Sequence, residues 1–448
     1  MTTQISGPRG LPLSGNLLAF RKDPLSFLTR AASEYGDVAH IRMGPSRHAY
    51  LISNPEYIKE ILVAKQAHFK KAKGLQVAKL VVGEGILTNE GKDHLRQRRL
   101  MQPAFHRDRI AGYGDIMVEE AVNHIEAWKD GEMLDIHHEM MRLTLAIITR
   151  TMFGANVSSN ADEIGHAIEV GLQYISKKAT SVLDIPLEVP TKGNRDFQQA
   201  SELLDKTIYA IIEDRRNEPE GAEHTDLLAM LLAARDEEDG TGMSDKQVRD
   251  EVMTIFVAGH ETTANTLSWT WYLLSQHPGV EARFHQELDE VLEGREPTVD
   301  DIPNLPYVNQ IVQESMRLYP AAWMINREVV ENVEIGGYHF KPGEILMMSQ
   351  FVMHRDPRFY DEPDRFKPER FDGGDLLKRN PQFAYFPFGG GPRICIGNNF
   401  ALMESALLLA TIGQRFRISR GENEPAAIPE PVVTLRPKNG MKMTIHKR

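Results

Sequence analysis

Apolar and polar positions alternate over residues 37–43 and 48–53, on either side of Gly44-Pro45-Ser46. That period of two predicts a pair of short strands joined by a turn. Beyond them the spacing becomes helical. Glu90 to Leu100 carries Lys92, His94, Arg96, Arg98 and Arg99 on a basic face. Such a face is either solvated surface or a site for phosphate or an acidic partner. Apolar residues then recur at helical spacing from about Asp115 to Phe153 and from Asn194 to Arg235, as in scaffold helices without chemistry of their own. Ser244-Asp245-Lys246-Gln247 forms a capping box, and the helical pattern after it runs to Gln276, where Pro278-Gly279 stops it. At the usual rise per residue this helix is roughly 48 Å long, enough to cross a whole molecule. Its centre, Phe256 to Thr263, holds a glycine and two adjacent threonines. An interior glycine costs about 1 kcal/mol against alanine, and threonine hydroxyls bond the carbonyls four residues back. The stretch is either a packing notch or a place where something lies against the helix. Pro306 to Tyr319 and Asn398 to Leu409 predict two further helices. Val333 to Phe340 and Glu344 to Phe351 predict strands around Gly336-Gly337 and Pro342-Gly343, and Pro431 to Thr444 a last hairpin turning at Asn439-Gly440. The expected fold is mainly α with a smaller β region at about 37–53 and 321–351.

Length, charge and cysteine content narrow this. A chain of 448 residues exceeds the usual single core, but no Ser/Gly tract, low-complexity block or internal repeat offers a linker. One large domain over residues 1–448, with no fused reductase, is expected. Hydrophobic residues make up 41% and support a substantial core. Lys and Arg total 52 against 63 Asp and Glu, a net charge of −11, which makes nucleic acid a poor partner. No run of about 18 apolar residues and no signal-peptide core is present, so a soluble, cytoplasmic protein without a membrane anchor is expected. The one cysteine excludes an intrachain disulfide framework.

That cysteine, Cys395, stands in Phe388-Gly389-Gly390-Gly391-Pro392-Arg393-Ile394-Cys395-Ile396-Gly397. A lone thiol can be a small inert core residue. Three glycines and a proline make poor core and instead suit a loop whose backbone approaches something flat and large. The helix starting at Asn398 would favour a thiolate at its N-terminus. Phe388, Gly391, Arg393, Cys395 and Gly397 together resemble the haem-ligand signature of the cytochromes P450. The resemblance implies the fold of that family, with haem between the long central helix and the cysteine loop and helix. It makes Cys395 the axial thiolate on iron and Arg393 a partner of a haem propionate, with Phe388, Gly389 and Ala258 also against the haem.

Other stretches resemble the family in the same order. Ala258-Gly259-His260-Glu261-Thr262-Thr263 is similar to its oxygen-binding motif. By resemblance Thr262 holds dioxygen and an ordered water while Glu261 relays protons from solvent. Family members that use peroxide directly on fatty acids carry Arg and Pro in place of this pair. Glu314 and Arg317, with Arg370 of Pro368-Glu369-Arg370-Phe371, resemble a buried charge network that orders the cysteine loop. The family's Trp-x-x-x-Arg falls on His94 and Arg98, so imidazole replaces indole there as a propionate donor. Arg327 is implied as a further propionate partner.

What the resemblance implies for function is a haem-thiolate monooxygenase. It would bind haem b, consume dioxygen, and take electrons of NAD(P)H origin from a ferredoxin or flavodoxin and its reductase, acting as a monomer. Leu80, Val81, Phe256, Ala258, Trp323, Ile325 and Val433, with Thr434 beside the last, form the expected pocket lining. Its apolar character suits a fatty acid, terpenoid or steroid-like substrate. Arg47 and Tyr50 can hold a carboxylate at the mouth or serve the surface. Lys70, Lys71, Arg96 and Arg99 can form a docking patch for the acidic redox partner or be ordinary surface charge. The alternatives are a peroxide-driven or rearranging haem-thiolate enzyme, and a non-catalytic haem-dependent binding or sensor protein.

Overall fold

The structure is a computed structural model and describes residues 5–179, 181, 185–218, 224, 226–235, 240–421 and 424–448. The two alternating segments pair as expected, Val38–Arg42 running antiparallel to His48–Ile52. His48–Ile52 then pairs in parallel with Ile345–Met348, which pairs antiparallel with Ile325–Val329. Phe69–Lys71, too short for its alternation to announce a strand, closes the edge against Ile325–Val329. The two β-rich stretches therefore share one five-stranded sheet, while Val333–Ile335 and Tyr338–Phe340 pair with each other in a separate two-stranded one. The register of the larger sheet sets Lys71 directly opposite Arg327. Two cations in that relation repel each other unless an anion answers them.

Two expected strand boundaries differ. The strand after Pro342-Gly343 ends at Met348, and Phe351 lies in a short helix, Gln350–Met353, capped by the Ser349 hydroxyl. The expected hairpin from Pro431 to Thr444 is two separate features. Pro429–Pro431 pairs with Leu435–Pro437 around a turn at Val432 to Thr434. Asn439-Gly440 instead leads into Lys442–Lys447, which pairs with Phe416–Ser419 and Met133–Asp135 in another sheet. Prolines at 429, 431 and 437 lack the N–H needed to extend the first ladder, so it stays short. Its tip thereby comes to rest on the central helix.

That helix spans Asp245–Gln276, 32 residues, and starts in the expected capping box at Ser244 and Gln247. From Val248 to Leu274 every residue is buried except Ala258, Gly259 and Thr262, which share one patch. Gly259 is a packing notch: a Cβ there would lie 2.6 Å from Ile148 Cδ1 on the neighbouring helix Ile136–Phe153. The expected helical stretch from Asp115 to Phe153 divides into Gly114–Ile125 and Ile136–Phe153, with Met133–Asp135 between them. The stretch from Asn194 to Arg235 includes Lys192–Arg216 and Leu227–Ala233, while 219–223 and 225 fall outside the described residues. Pro306–Leu318 matches expectation, and the helix after the cysteine continues past Leu409 to Arg415. These helices share the main apolar core, which includes Trp269, Phe284, Ile311 and Leu407. Among the described residues no helix is long and apolar enough to cross a membrane.

Candidate active site

The cysteine loop is held by backbone geometry. Cys395 N–H donates to the Phe388 carbonyl at 3.0 Å, and Ile394 N–H to the Gly391 carbonyl at 3.0 Å. Gly391 takes φ +67°, and a Cβ on it would lie 2.0 Å from the Leu62 carbonyl oxygen, so only glycine fits. A Cβ on Gly389, at φ +72°, would approach Ile325 Cδ1, which ties the loop to the sheet. Cys395 keeps an open face to solvent while protein crowds around the rest of the side chain. Burial pushes the thiol up from its ordinary value, while the Gly397 N–H and Arg98 pull it down more weakly. A metal cation would supply the missing stabilisation.

Around this loop the chain gathers cations from three distant segments. The basic helix, Gly91–Met101, contributes His94 and Arg98. Arg98 donates to the Ile394 carbonyl at 2.7 Å. Arg393 donates to the Asn89 carbonyl at 2.6 Å and pairs with the Glu90 carboxylate. The sheet edge contributes Arg327, pushed down to about 10 by burial and by Arg393. It also contributes Lys71, pushed down to about 7 by burial and by Arg393. His94 is buried and pushed down to about 3 by burial and by its cationic neighbours, so it is neutral. Among the described residues, Glu90 is the one carboxylate facing these groups.

Lys71 is the residue that sequence reasoning placed wrongly. It was expected with Lys70, Arg96 and Arg99 in a surface patch, yet it is 5% exposed, and Nζ donates to the Asn89 carbonyl at 2.8 Å. Strand alternation explains this: Phe69 and Lys71 point inward and Lys70 outward, where it pairs with Glu328 at 2.9 Å. Arg99 lies elsewhere, in a groove of about 530 Å³ lined also by Gln102, Pro103, His106 and Arg109.

Glu314, Arg317 and Arg370 come together as expected. Glu314 and Arg317 are both fully buried, and the Arg317 guanidinium donates to the two Glu314 oxygens at 2.7 and 2.8 Å. Arg370 Nε reaches Glu314 at 3.3 Å, and the Lys367 N–H donates to it at 2.9 Å. Arg317 also donates to the carbonyls of His354, Pro363 and Arg365. The network therefore clamps the irregular chain before the cysteine loop. His354 completes it, with buried Nε2 accepting the Phe386 N–H at 2.9 Å. Sequence reasoning missed His354, which lies in no motif.

On the central helix, Thr262 donates to the Ala258 carbonyl at 2.8 Å, and Thr266 to the Thr262 carbonyl at 3.0 Å. Glu261 faces elsewhere. Its Oε1 accepts the Thr434 hydroxyl at 2.7 Å, and Asn265 Nδ2 donates to that same hydroxyl oxygen at 3.1 Å. Burial pushes the Glu261 carboxyl up to about 7, against the pull of Thr434 and Arg436. Acid and alcohol are thus adjacent in sequence but bonded to different partners. Thr434 was expected near substrate. Glu261, Asn265 and Trp269, four apart on a buried face, were the signal that a polar partner had to be supplied there.

The expected apolar lining is only partly supported. Phe256 is fully buried and stacks on Phe153, with ring centroids 6.4 Å apart, so it belongs to the core between helices. Trp323 packs in the core cluster of Phe20, Leu28 and Leu51, its indole N–H donating to the Val432 carbonyl at 3.2 Å. Val81 is buried near Gly171. Leu80 and Val433 are exposed, Val433 at the hairpin tip, and Ile325 lies by the cysteine loop. The Tyr50 hydroxyl donates to Glu344 at 2.9 Å within the sheet, and Arg47 is exposed in the turn before it.

An exposed thiol beside a buried lysine and three half-buried arginines that share one carboxylate fits a metal-centred group carrying negative charges at its edge, as haem does with its propionates. Comparison with known proteins agrees. The family model described as Cytochrome P450 matches residues 5–444. Cyclooctatin synthase of Streptomyces melanosporofaciens is 37% identical over 98% of this chain and 93% of its own length. Cyclooctat-9-en-7-ol 5-monooxygenase of the same organism is 38% identical over 92% and 89%, and pentalenene oxygenase of Streptomyces avermitilis 32% identical over 95% and 93%. The open thiol, the cation cluster and this match over nearly the whole chain place the protein in the cytochrome P450 family, as a monooxygenase that uses haem b, dioxygen and reducing equivalents from redox partners.

Proposed function

We propose that the protein hydroxylates a terpenoid, an apolar and mostly hydrocarbon skeleton, at a haem held by Cys395. Cys395 would bind the haem iron, and Arg98, Arg327, Arg393, Lys71 and neutral His94 would hold the propionates. The observation that carries this site is the set of one buried and three half-buried cations with one carboxylate among them, gathered around the only thiol of the chain. The substrate class rests on the relatives whose names print a terpenoid oxidation. When bound, haem supplies dioxygen activation on an iron whose thiolate ligand favours oxygen–oxygen cleavage. The protein's own residues bind, orient and move protons. Thr262 carries its hydroxyl on the half-buried patch of the central helix, and Glu261, pushed up to about 7 by burial, can both hold and release a proton near neutral pH. A ferredoxin or flavodoxin would dock at the basic groove of Arg99 and Arg109.

The test is reconstitution with a ferredoxin system, NADPH and a panel of cyclised terpenes alongside fatty acids. A terpene product heavier by one oxygen atom supports the reading. Turnover of fatty acids alone would sink it. In Thr262→Ala, NADPH consumption is expected to continue while product falls severalfold and peroxide rises; wild-type coupling would remove Thr262 from its role.

Lys71 yields a prediction whose sign follows from burial. An unfolded lysine titrates near about 10.4, whereas burial in the fold lowers Lys71 to about 7. Between those values the unfolded chain binds the extra proton, so the haem-free protein gains stability as pH rises from about 7 to 10. Lys71→Met is expected to remove that gain and to speed haem loss severalfold. Unfolding midpoints across pH and haem transfer to an acceptor globin measure the two effects.

A further inference from the structure

Trp269 follows Thr262 on the central helix after almost two whole turns, so the two side chains share a face, roughly 10 Å apart along the axis. Thr262 belongs to the half-buried patch that interrupts the buried run from Val248 to Leu274. Trp269 is fully buried, and its ring lies on that of Tyr319 with centroids 4.1 Å apart and planes 5° from parallel. Aromatic pairs ordinarily offset or tilt, with centroids about 4.5–7 Å apart. Among the described residues no ring pair is closer or more nearly parallel. Both rings are held in place. The Trp269 indole N–H donates to the Leu435 carbonyl at 3.0 Å. Tyr319 ends the helix Pro306–Leu318, and the hydrogen bond between the Thr270 and Ser315 hydroxyls, at 2.8 Å, ties that helix to the central one. Beyond Tyr319 the way leads outward. Tyr319 is half-buried, the Arg355 guanidinium lies 5.8 Å from its ring centroid, and Arg355 pairs at 3.3 Å with Asp364, whose side chain is 85% exposed.

We propose that Trp269 and Tyr319 form a one-electron relay from the haem site to the surface, which discharges oxidising equivalents left there when no substrate is in place. The relay rests on the haem chemistry of the family and not on which substrate is taken. Indole and phenol are readily oxidised by one electron, whereas the phenyl ring of phenylalanine is not. Trp269 gives an electron to the haem site and keeps its N–H, because the Leu435 carbonyl stabilises the charged indole. Tyr319 returns an electron to Trp269 and releases its phenol proton to solvent, so its O–H bond breaks. A soluble thiol then gives a hydrogen atom to the Tyr319 oxygen, and that bond re-forms. Over two passes, two electrons and two protons turn one surplus oxygen atom at the haem site into water. The two thiyl radicals left behind join as a disulfide.

Two neighbouring rings mark the limits of the relay. Trp271 is as buried as Trp269, but it stands edge-on to Phe284 with planes 79° apart and centroids 6.2 Å apart. It therefore faces a ring that cannot take the charge onward. Tyr272 is oxidisable and stands edge-on to Trp269 at 5.9 Å. Its planes cross at 84°, which leaves little orbital overlap, and it is more buried than Tyr319, so its phenol proton has a poorer exit to water. Overlap and proton release both favour Tyr319.

The experiment mixes the substrate-free, haem-loaded protein with a peracid, freezes it at increasing delays and records electron paramagnetic resonance. The wild type is expected to give an organic radical whose hyperfine splitting narrows when the protein carries ring-deuterated tyrosine. Tyr319→Phe keeps the stacked ring and its packing but has no phenol, so the tyrosyl signal should be lost. Trp269→Phe should lower it severalfold, and Trp271→Phe should leave it at the wild-type level. Haem absorbance under repeated peracid should decay severalfold faster in Tyr319→Phe and Trp269→Phe. Added glutathione should slow that decay in the wild type and not in Tyr319→Phe. Each variant is first shown to keep the wild-type haem content and unfolding midpoint, so that a lost signal reports the relay rather than the fold. A tyrosyl signal that survives Tyr319→Phe places the radical elsewhere, Tyr272 being the nearest candidate, and overturns the proposal. So does a wild type without a tyrosyl signal, or a Trp269→Phe signal equal to that of the wild type.

Discussion

Cys395→Ala is expected to fold and to show no red-shifted Soret band when reduced and exposed to carbon monoxide. The wild type should show that band, which reports a thiolate on iron. The thiol is exposed and supports no core packing, so removing its sulfur should cost about 0.5 kcal/mol or less in the haem-free protein. The loop is held by its backbone bonds to Phe388 and Gly391 and by the contact of Gly391 with Leu62, none of which involves sulfur. Activity should vanish while circular dichroism remains that of the wild type. A variant that kept the band would show that another group ligates the iron. A histidine-type band in the wild type would remove Cys395 from the site altogether.

The second large effect is expected at a distance from the iron. Glu314→Ala removes the carboxylate that answers Arg317 and Arg370, leaving a fully buried guanidinium without its counter-charge. Breaking a buried pair in this way costs about 3–5 kcal/mol. The Lys367 N–H loses its acceptor as well, and the segment held by Arg317 through three carbonyls loosens. That segment leads to Phe386 and so to the cysteine loop. The expected outcome is therefore loss of haem, with a lowered unfolding midpoint and a low Soret absorbance relative to protein. A variant with full haem occupancy and merely slow turnover would contradict the clamp. Glu314→Gln should fall between, since it keeps an acceptor for Lys367 but not the charge.

The residues of the haem side were legible because they lie in short, ordered motifs. The five positions around Cys395, the Glu314 and Arg317 pair with Arg370, and the Ala258 to Thr263 stretch each state their chemistry locally. The central helix was legible for a different reason. A capping box at Ser244 and Gln247 starts it, Pro278 stops it, and nothing tertiary competes over its 32 residues. Less legible was which face of an element each side chain would take. Lys71 reads as a surface charge beside Lys70, and a three-residue strand is too short to show its period. Phe256 reads as pocket lining, but its rotation on the helix turns it to Phe153. Thr434 reads as pocket lining beside Val433, but the short proline-bounded ladder brings its hydroxyl to Glu261.

By itself the sequence determined the family, the thiol, the acid and alcohol on one helix, and the buried charge network. All of these are set by residues close together in the chain. The tertiary structure decided which charges share a site. Lys71 and Arg327 are 256 positions apart in sequence and opposite each other in the sheet, and Thr434 meets Glu261 across 173 positions. Such pairings depend on register and on the crossing of distant elements, which local pattern does not encode. Their strength depends on burial: taking Glu261 and Lys71 out of water moves both toward neutral pH, whereas on the surface water and salt would leave them at their ordinary values.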